Sequence, residues 1–123
     1  MADAAAYYAA RPAVERVPAE TAVDPAIMRL VNAGDPARAL PACNGCHGGE
    51  HSGSVGTPVL LGQPAYYLAA QLAAFAKGEC HNNLYQQMRS ISGLLTPAEA
   101  KALAVYYGGM PVPKYRLGAP CPA

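Results

Sequence analysis

Tryptophan is absent from the 123-residue chain, and phenylalanine occurs once, at Phe75. Large core-forming side chains are therefore scarce. Hydrophobic residues make up 52% of the sequence, yet 26 of the 123 residues are alanine, which buries little area. The side chains alone offer a thin interior for one domain of this length. No run of about 18 apolar residues occurs, which excludes a hydrophobic membrane-spanning helix. Charge of either sign is also in short supply. Nine Lys and Arg face eight Asp and Glu, for a formal net charge of +1. That balance gives no basic footprint for nucleic acid and no acidic interaction tail. Residues 2–10 are rich in Ala and Tyr and lack the basic n-region and apolar h-region of a secretory signal.

The sequence does have four cysteines, and two of them lie in Cys43-Asn44-Gly45-Cys46-His47. Cys-x-x-Cys-His is the attachment signature of c-type haem. On one helical turn Cys43 and Cys46 share a face, so both thiols can add to vinyl groups on one edge of a porphyrin. His47 then stands where its imidazole can bind the iron. A bare Cys-x-x-Cys also serves as a thioredoxin-like redox pair or as half a zinc site. A flat apolar cofactor would supply the missing interior, and two propionates would take the net charge from +1 to about −1. Haem is attached on the oxidising side of the membrane, so a bacterial periplasm is the expected location, with any signal already removed. In that compartment Cys80 and Cys121 are candidates for a disulfide.

Along the chain, residues 1–23 read as an extended lead-in with room for a short helical piece. Asp24-Pro25 is a helix start, with Ile27, Leu30 and Val31 as the apolar face, Met28 as core and Gly34 as the stop. Asp35-Pro36 repeats the start signal and runs into the haem motif, with Pro41 introducing a kink. Residues 48–56 form a loop by composition, and His51 within it reads as solvated. Tyr66 to Lys77 reads as a helix with Leu68, Leu72 and Phe75 turned inward, Gly78 as its stop, and Tyr66 and Tyr67 as core or haem-edge packing. Residues 79–95 read as an irregular polar strap. Thr96-Pro97-x-Glu99 is a capping box for a last helix, with Ala100, Leu103, Ala104 and Tyr107 buried and Gly108 closing it. Met88 in the strap is the favoured sixth iron ligand and His81 the runner-up; Met110 is badly placed.

Three stretches carry a family resemblance. Gly34-Asp35-Pro36-Ala37-Arg38 leads to Pro41-Ala42-Cys43-x-Gly45-Cys46-His47-Gly48. Pro58-x-Leu60-x-Gly62-Gln63-x-Ala65-x-Tyr67-Leu68 is followed by Gln71-Leu72, Phe75 and Gly78. Leu95-Thr96-x-x-Glu99 precedes Leu103-Ala104-x-Tyr106-Tyr107. Together they resemble the bacterial class I c-type cytochromes, in particular the one-haem carriers and the two-haem c-four proteins. The resemblance implies an all-α fold wrapped round one haem c over residues 34–109. Residues 1–33 would be an extension and 110–123 a proline-rich tail. It implies His47 and Met88 as axial ligands, the Pro58 carbonyl accepting the outer N–H of His47, and Gln63 near the haem edge or propionates. The strap departs from the pattern: relatives often carry a basic residue after the glycine and an Asn-Asp-Pro-like run.

The expected function is one-electron transfer, since two protein ligands leave the iron no open position for substrate. The expected partners are a periplasmic dehydrogenase as donor and a terminal oxidase or reductase as acceptor. A dedicated cytochrome subunit of one dehydrogenase is the variant reading. A haem sensor or peroxidase-like protein would need an open iron site, and a haem-free thiol or zinc protein would need no iron.

Overall fold

The computed structural model describes residues 2–12, 23–48 and 57–111. Among the described residues six α-helices run in order: α1 (Ala2–Ala9), α2 (Pro25–Asn32), α3 (Cys43–His47), α4 (Ala65–Ala76), α5 (Gln87–Leu94) and α6 (Pro97–Gly109). Among the described residues there is no strand, only an isolated bridge between Asp35 and Leu40.

Helix α2 starts as its punctuation dictates. The Asp24 carboxylate accepts from the Ala26 N–H at 2.8 Å, and Pro25 needs no partner at the first helical position. Ile27, Leu30 and Val31 are buried, and α2 packs on α3 and α6. The packed body therefore takes in residues that the sequence reading put in the extension. Met28 points the other way and is 37% exposed, because the apolar face it would need belongs to Ile27 and Val31. Gly34 closes α2 at φ +73°, and a Cβ there would collide with the Leu40 carbonyl oxygen.

The second start signal yields only a 3-10 turn, Pro36–Arg38. Asp35 does not cap it. Its carboxylate instead takes the Arg38 Nε at 2.8 Å, while its backbone pairs with Leu40 in both directions. The Arg38 guanidinium then grips Glu99 with two prongs at 2.8 and 3.1 Å. This ties the lead into α3 to the first turn of α6. That turn holds the foreseen capping box: the Thr96 hydroxyl accepts from Glu99 N–H, and Glu99 accepts from Thr96 N–H.

The core is built from Ile27, Leu30, Val31, Leu40, Leu61, Leu68, Leu103, Ala104 and Tyr107. Helix α4 packs on both α5 and α6. Gly108 does not close α6. It lies buried inside it, and a Cβ at this position would come within 3.0 Å of both Gln63 O and Ala65 N. Glycine here lets two backbones approach, and the helix continues to Gly109.

The short helical piece allowed for in the lead-in is α1, two turns long, whose side chains from Asp3 onward are exposed. Three further readings differ. Leu72 and Phe75 of the inward stripe are half-buried, while Leu68 is buried. Tyr66 and Tyr67 are exposed, at 77% and 45%, so of core or haem-edge packing the first does not hold, since the buried stripe of α4 passes through Leu68. Residues 79–95 are not irregular throughout: a 3-10 turn at Leu84–Gln86 leads directly into α5. Polar composition hid that helix, whose only fully buried residue is Ser92.

Candidate functional site

Helix α3 is five residues long and carries Cys43, Cys46 and His47 on little more than one turn. Its closing glycine, Gly48, at φ 72°, donates its N–H to Asn44 O at 3.0 Å. The Cys43 thiol is half-buried against the hydrophobic core, and that burial pushes its pKa up, outweighing a backbone hydrogen bond that acts the other way. Cys46 lies on the exposed side of the turn. A thiol disfavoured as thiolate is a poor free nucleophile or zinc ligand, but it suits a sulfur packed as a thioether.

His47 is buried, with 9% exposure, and its Nδ1 stands 2.8 Å from the Pro58 carbonyl oxygen. A carbonyl can only accept, so Nδ1 carries the proton and Nε2 keeps the lone pair. Pro58 belongs to a segment that is itself anchored: Gly62 N–H donates to Tyr107 O at 2.8 Å and Gln63 N–H to Leu60 O at 3.2 Å. The Gln63 side chain is drawn into the same segment, where it donates to Val59 O at 2.6 Å. Met88 is half-buried in the first turn of α5, not in a loop.

The rival ligands are placed as follows. His81 is exposed, and its Nδ1 accepts from the Arg89 guanidinium at 3.1 Å. Met110 is half-buried against the core. His51 and Cys121 lie outside the described residues. Cys80 is a thiol whose Sγ lies 3.0 Å from Asn82 Oδ1 and donates to it. Nothing supports its bridge to Cys121.

Two polar clusters escaped sequence reading. In one, the Tyr107 hydroxyl donates to Asn44 Oδ1 at 2.7 Å, and Asn44 Nδ2 donates to Asn32 Oδ1 at 3.1 Å. Asn44 is a variable position of the Cys-x-x-Cys motif, so the motif itself said nothing of it. In the other, Arg38 lies between Asp35 and Glu99 and holds both carboxyls below their usual range, in each case chiefly through its side-chain hydrogen bond.

The donor set decides between the cofactors. Among the described residues no group of three or more His, Cys, Asp or Glu side chains is arranged to hold a metal ion. A tetrahedral zinc site would lack ligands among those residues. Two thiols on one turn beside a buried imidazole of fixed tautomer fit a covalently tethered haem.

Comparison with known proteins agrees. No family model matches the chain. Cytochrome c4 from Azotobacter vinelandii is 34% identical over 117 residues, covering 89% of this chain and 53% of that protein. A thiosulfate dehydrogenase electron acceptor from Thiomonas intermedia (strain K12) is 33% identical over 88 residues, covering 68% of this chain and 39% of that protein. Among solved structures, reduced recombinant cytochrome c4 from Pseudomonas stutzeri superposes with a TM-score of 0.68 at 31% identity, over 86% of this chain and 57% of that one. Thiosulfate dehydrogenase from Marichromatium purpuratum gives a TM-score of 0.69 at 40% identity, over 86% of this chain and 23% of that one. The chain thus spans about half the length, or less, of the curated relatives it matches.

A helical body closed around a Cys-x-x-Cys-His turn, with these likenesses, marks a c-type cytochrome fold fitted to covalent haem c. More narrowly, over most of its length the chain is similar to part of cytochrome c4, at 31–36% identity in the proteins compared.

Proposed function

We propose that this protein is a periplasmic one-electron carrier that receives electrons from a dehydrogenase and passes them to a terminal oxidase or reductase. Cys43 and Cys46 would hold the haem through thioethers, and His47 and Met88 would ligate its iron. The haem supplies ferric–ferrous chemistry when bound. The observation that carries this reading is the 2.8 Å contact of His47 Nδ1 with Pro58 O, which leaves Nε2 as a nitrogen donor held in a fixed orientation. The backbone of α6 holds the Pro58 segment through Gly62 N–H, so the imidazole is positioned by the fold rather than by its own rotamer. Met88 would close the second axial position with a thioether, which favours ferrous iron and raises the potential.

The dehydrogenase partner rests on the likeness to a protein named as a thiosulfate dehydrogenase electron acceptor. It also rests on the likeness to a region of a thiosulfate dehydrogenase. A subunit bound to one dehydrogenase is the variant they favour. The periplasmic location follows from the compartment in which Cys-x-x-Cys-His is loaded. No helix among the described residues is long and apolar enough to cross a membrane.

The test is spectroscopic. Protein matured with haem should keep its haemochrome spectrum after acid–acetone extraction, because the attachment is covalent. The reduced protein should resist carbon monoxide at neutral pH. Loss of the chromophore on extraction would end the haem c reading, and rapid carbon monoxide binding would replace the carrier with an open-site sensor or peroxidase-like protein.

A further inference from the structure

Tyr85 (φ 51°) and Gln86 (φ 60°) sit consecutively in the left-handed region immediately before α5. Non-glycine residues rarely adopt this conformation even singly, so the turn needs an external hold. Gln86 occupies the cap position of α5 and makes no side-chain cap hydrogen bond. The orphan N–H groups of the first turn find their acceptor farther back. With its carboxamide oxygen facing the helix, Asn83 accepts from the N–H groups of Gln87 at 3.1 Å, Met88 at 3.0 Å and Arg89 at 3.2 Å. Arg89 reaches back across the same turn to His81 at 3.1 Å, and the Ser90 hydroxyl donates to Gln86 O at 3.1 Å.

One side-chain oxygen therefore gathers the three amides centred on the Met88 backbone. We propose that Asn83 is the positioning residue for Met88, holding the first turn of α5 so that the thioether stays presented to the iron. The inference rests on the reading of Met88 as axial ligand. Its physical content is a competition. Met88 is the second residue of α5, so a frayed first turn withdraws the sulfur, and the iron takes an external ligand in proportion to the frayed fraction.

The experiment is an imidazole titration of the ferric, haem-loaded protein, with the sulfur-to-iron charge-transfer band recorded alongside. Asn83→Ala should bind imidazole about fivefold more tightly, the factor expected for loss of a typical helix cap, and its band should weaken. Asn83→Asp should behave as wild type, because a carboxylate accepts the same amides at a helix N-terminus. Thr96→Ala removes a cap from α6 instead and should leave imidazole affinity unchanged. Should Asn83→Ala fail to assemble haem, Asn83→Ser, with a shorter acceptor, should fall between it and wild type. Wild-type affinity and band in Asn83→Ala or Asn83→Ser, while Met88→Ala changes both, would overturn the proposal alone. An equal effect from Thr96→Ala would also overturn it, by reducing it to general fraying. A Met88→Ala protein indistinguishable from wild type would instead remove the ligand reading beneath it.

Discussion

The Tyr107 hydroxyl reaches across 63 residues of sequence to donate to Asn44 at 2.7 Å, within the haem-attachment turn. Asn44 passes the connection to Asn32, which donates to Met28 O at 3.1 Å. Three helices, α6, α3 and α2, are thus joined by one chain of side-chain hydrogen bonds. Burial, first, and the nearby Cys43 push the tyrosine pKa above its ordinary value, so Tyr107 remains a neutral donor.

Tyr107→Phe removes the donor and keeps the ring. Asn44 is left with an unsatisfied, partly buried oxygen, and the expected loss is about 1–2 kcal/mol. Urea unfolding of the haem-loaded protein should show a lower midpoint with an unchanged slope. An unchanged midpoint would mean that solvent replaces the bond without cost.

Gly108→Ala tests the contact between α6 and the start of α4. The added methyl would sit 3.0 Å from Gln63 O and Ala65 N, both backbone atoms that cannot rotate away. Overpacking of this kind costs about 1–3 kcal/mol. The same substitution at Gly93, where a Cβ meets nothing within 4 Å, should not destabilise the protein and serves as its control.

The Arg38 cluster predicts a pH dependence. Asp35 and Glu99 are both held below the ordinary carboxylate range, chiefly by their hydrogen bonds to Arg38. Depressed folded values mean that the unfolded chain binds protons first on acidification. The stabilisation is therefore complete above the unfolded values, near pH 4, and is lost as the pH falls through the folded ones. The melting temperature of the wild type should drop over that acid range. Glu99→Gln should melt lower than wild type at pH 7 and show a shallower acid decline. Parallel curves for the two proteins would remove the cluster from the account.

Met88→Ala should lower the reduction potential and admit imidazole or carbon monoxide to the iron, whereas His81→Ala should do neither. The side-chain environment separates the two: His81 is exposed and engaged with Arg89, while Met88 is half-buried. A redox titration of both variants checks this. A fall in potential with His81→Ala alone would exchange their roles.

Much of this was legible from residue order. The attachment turn, the Asp24 cap, the Thr96–Glu99 capping box and the buried faces of α2 and α6 all follow from interactions within about one helical turn. The helix at α5 was not legible, because its N-terminus is capped from Asn83 across two left-handed residues and its face is polar. Asp35-Pro36 looked like the start of an α-helix and opened only a 3-10 turn, with the Asp35 carboxylate taken by Arg38 and its backbone paired with Leu40.

The sequence by itself determined that two thiols and an imidazole share one turn, and hence which cofactor they suit, because covalent spacing along a helix is a local matter. Only the tertiary structure decided what holds His47, Asn44 and Arg38 in place. Those choices depend on groups brought together from 11 to 63 residues away, and only packing and loop closure select such pairs.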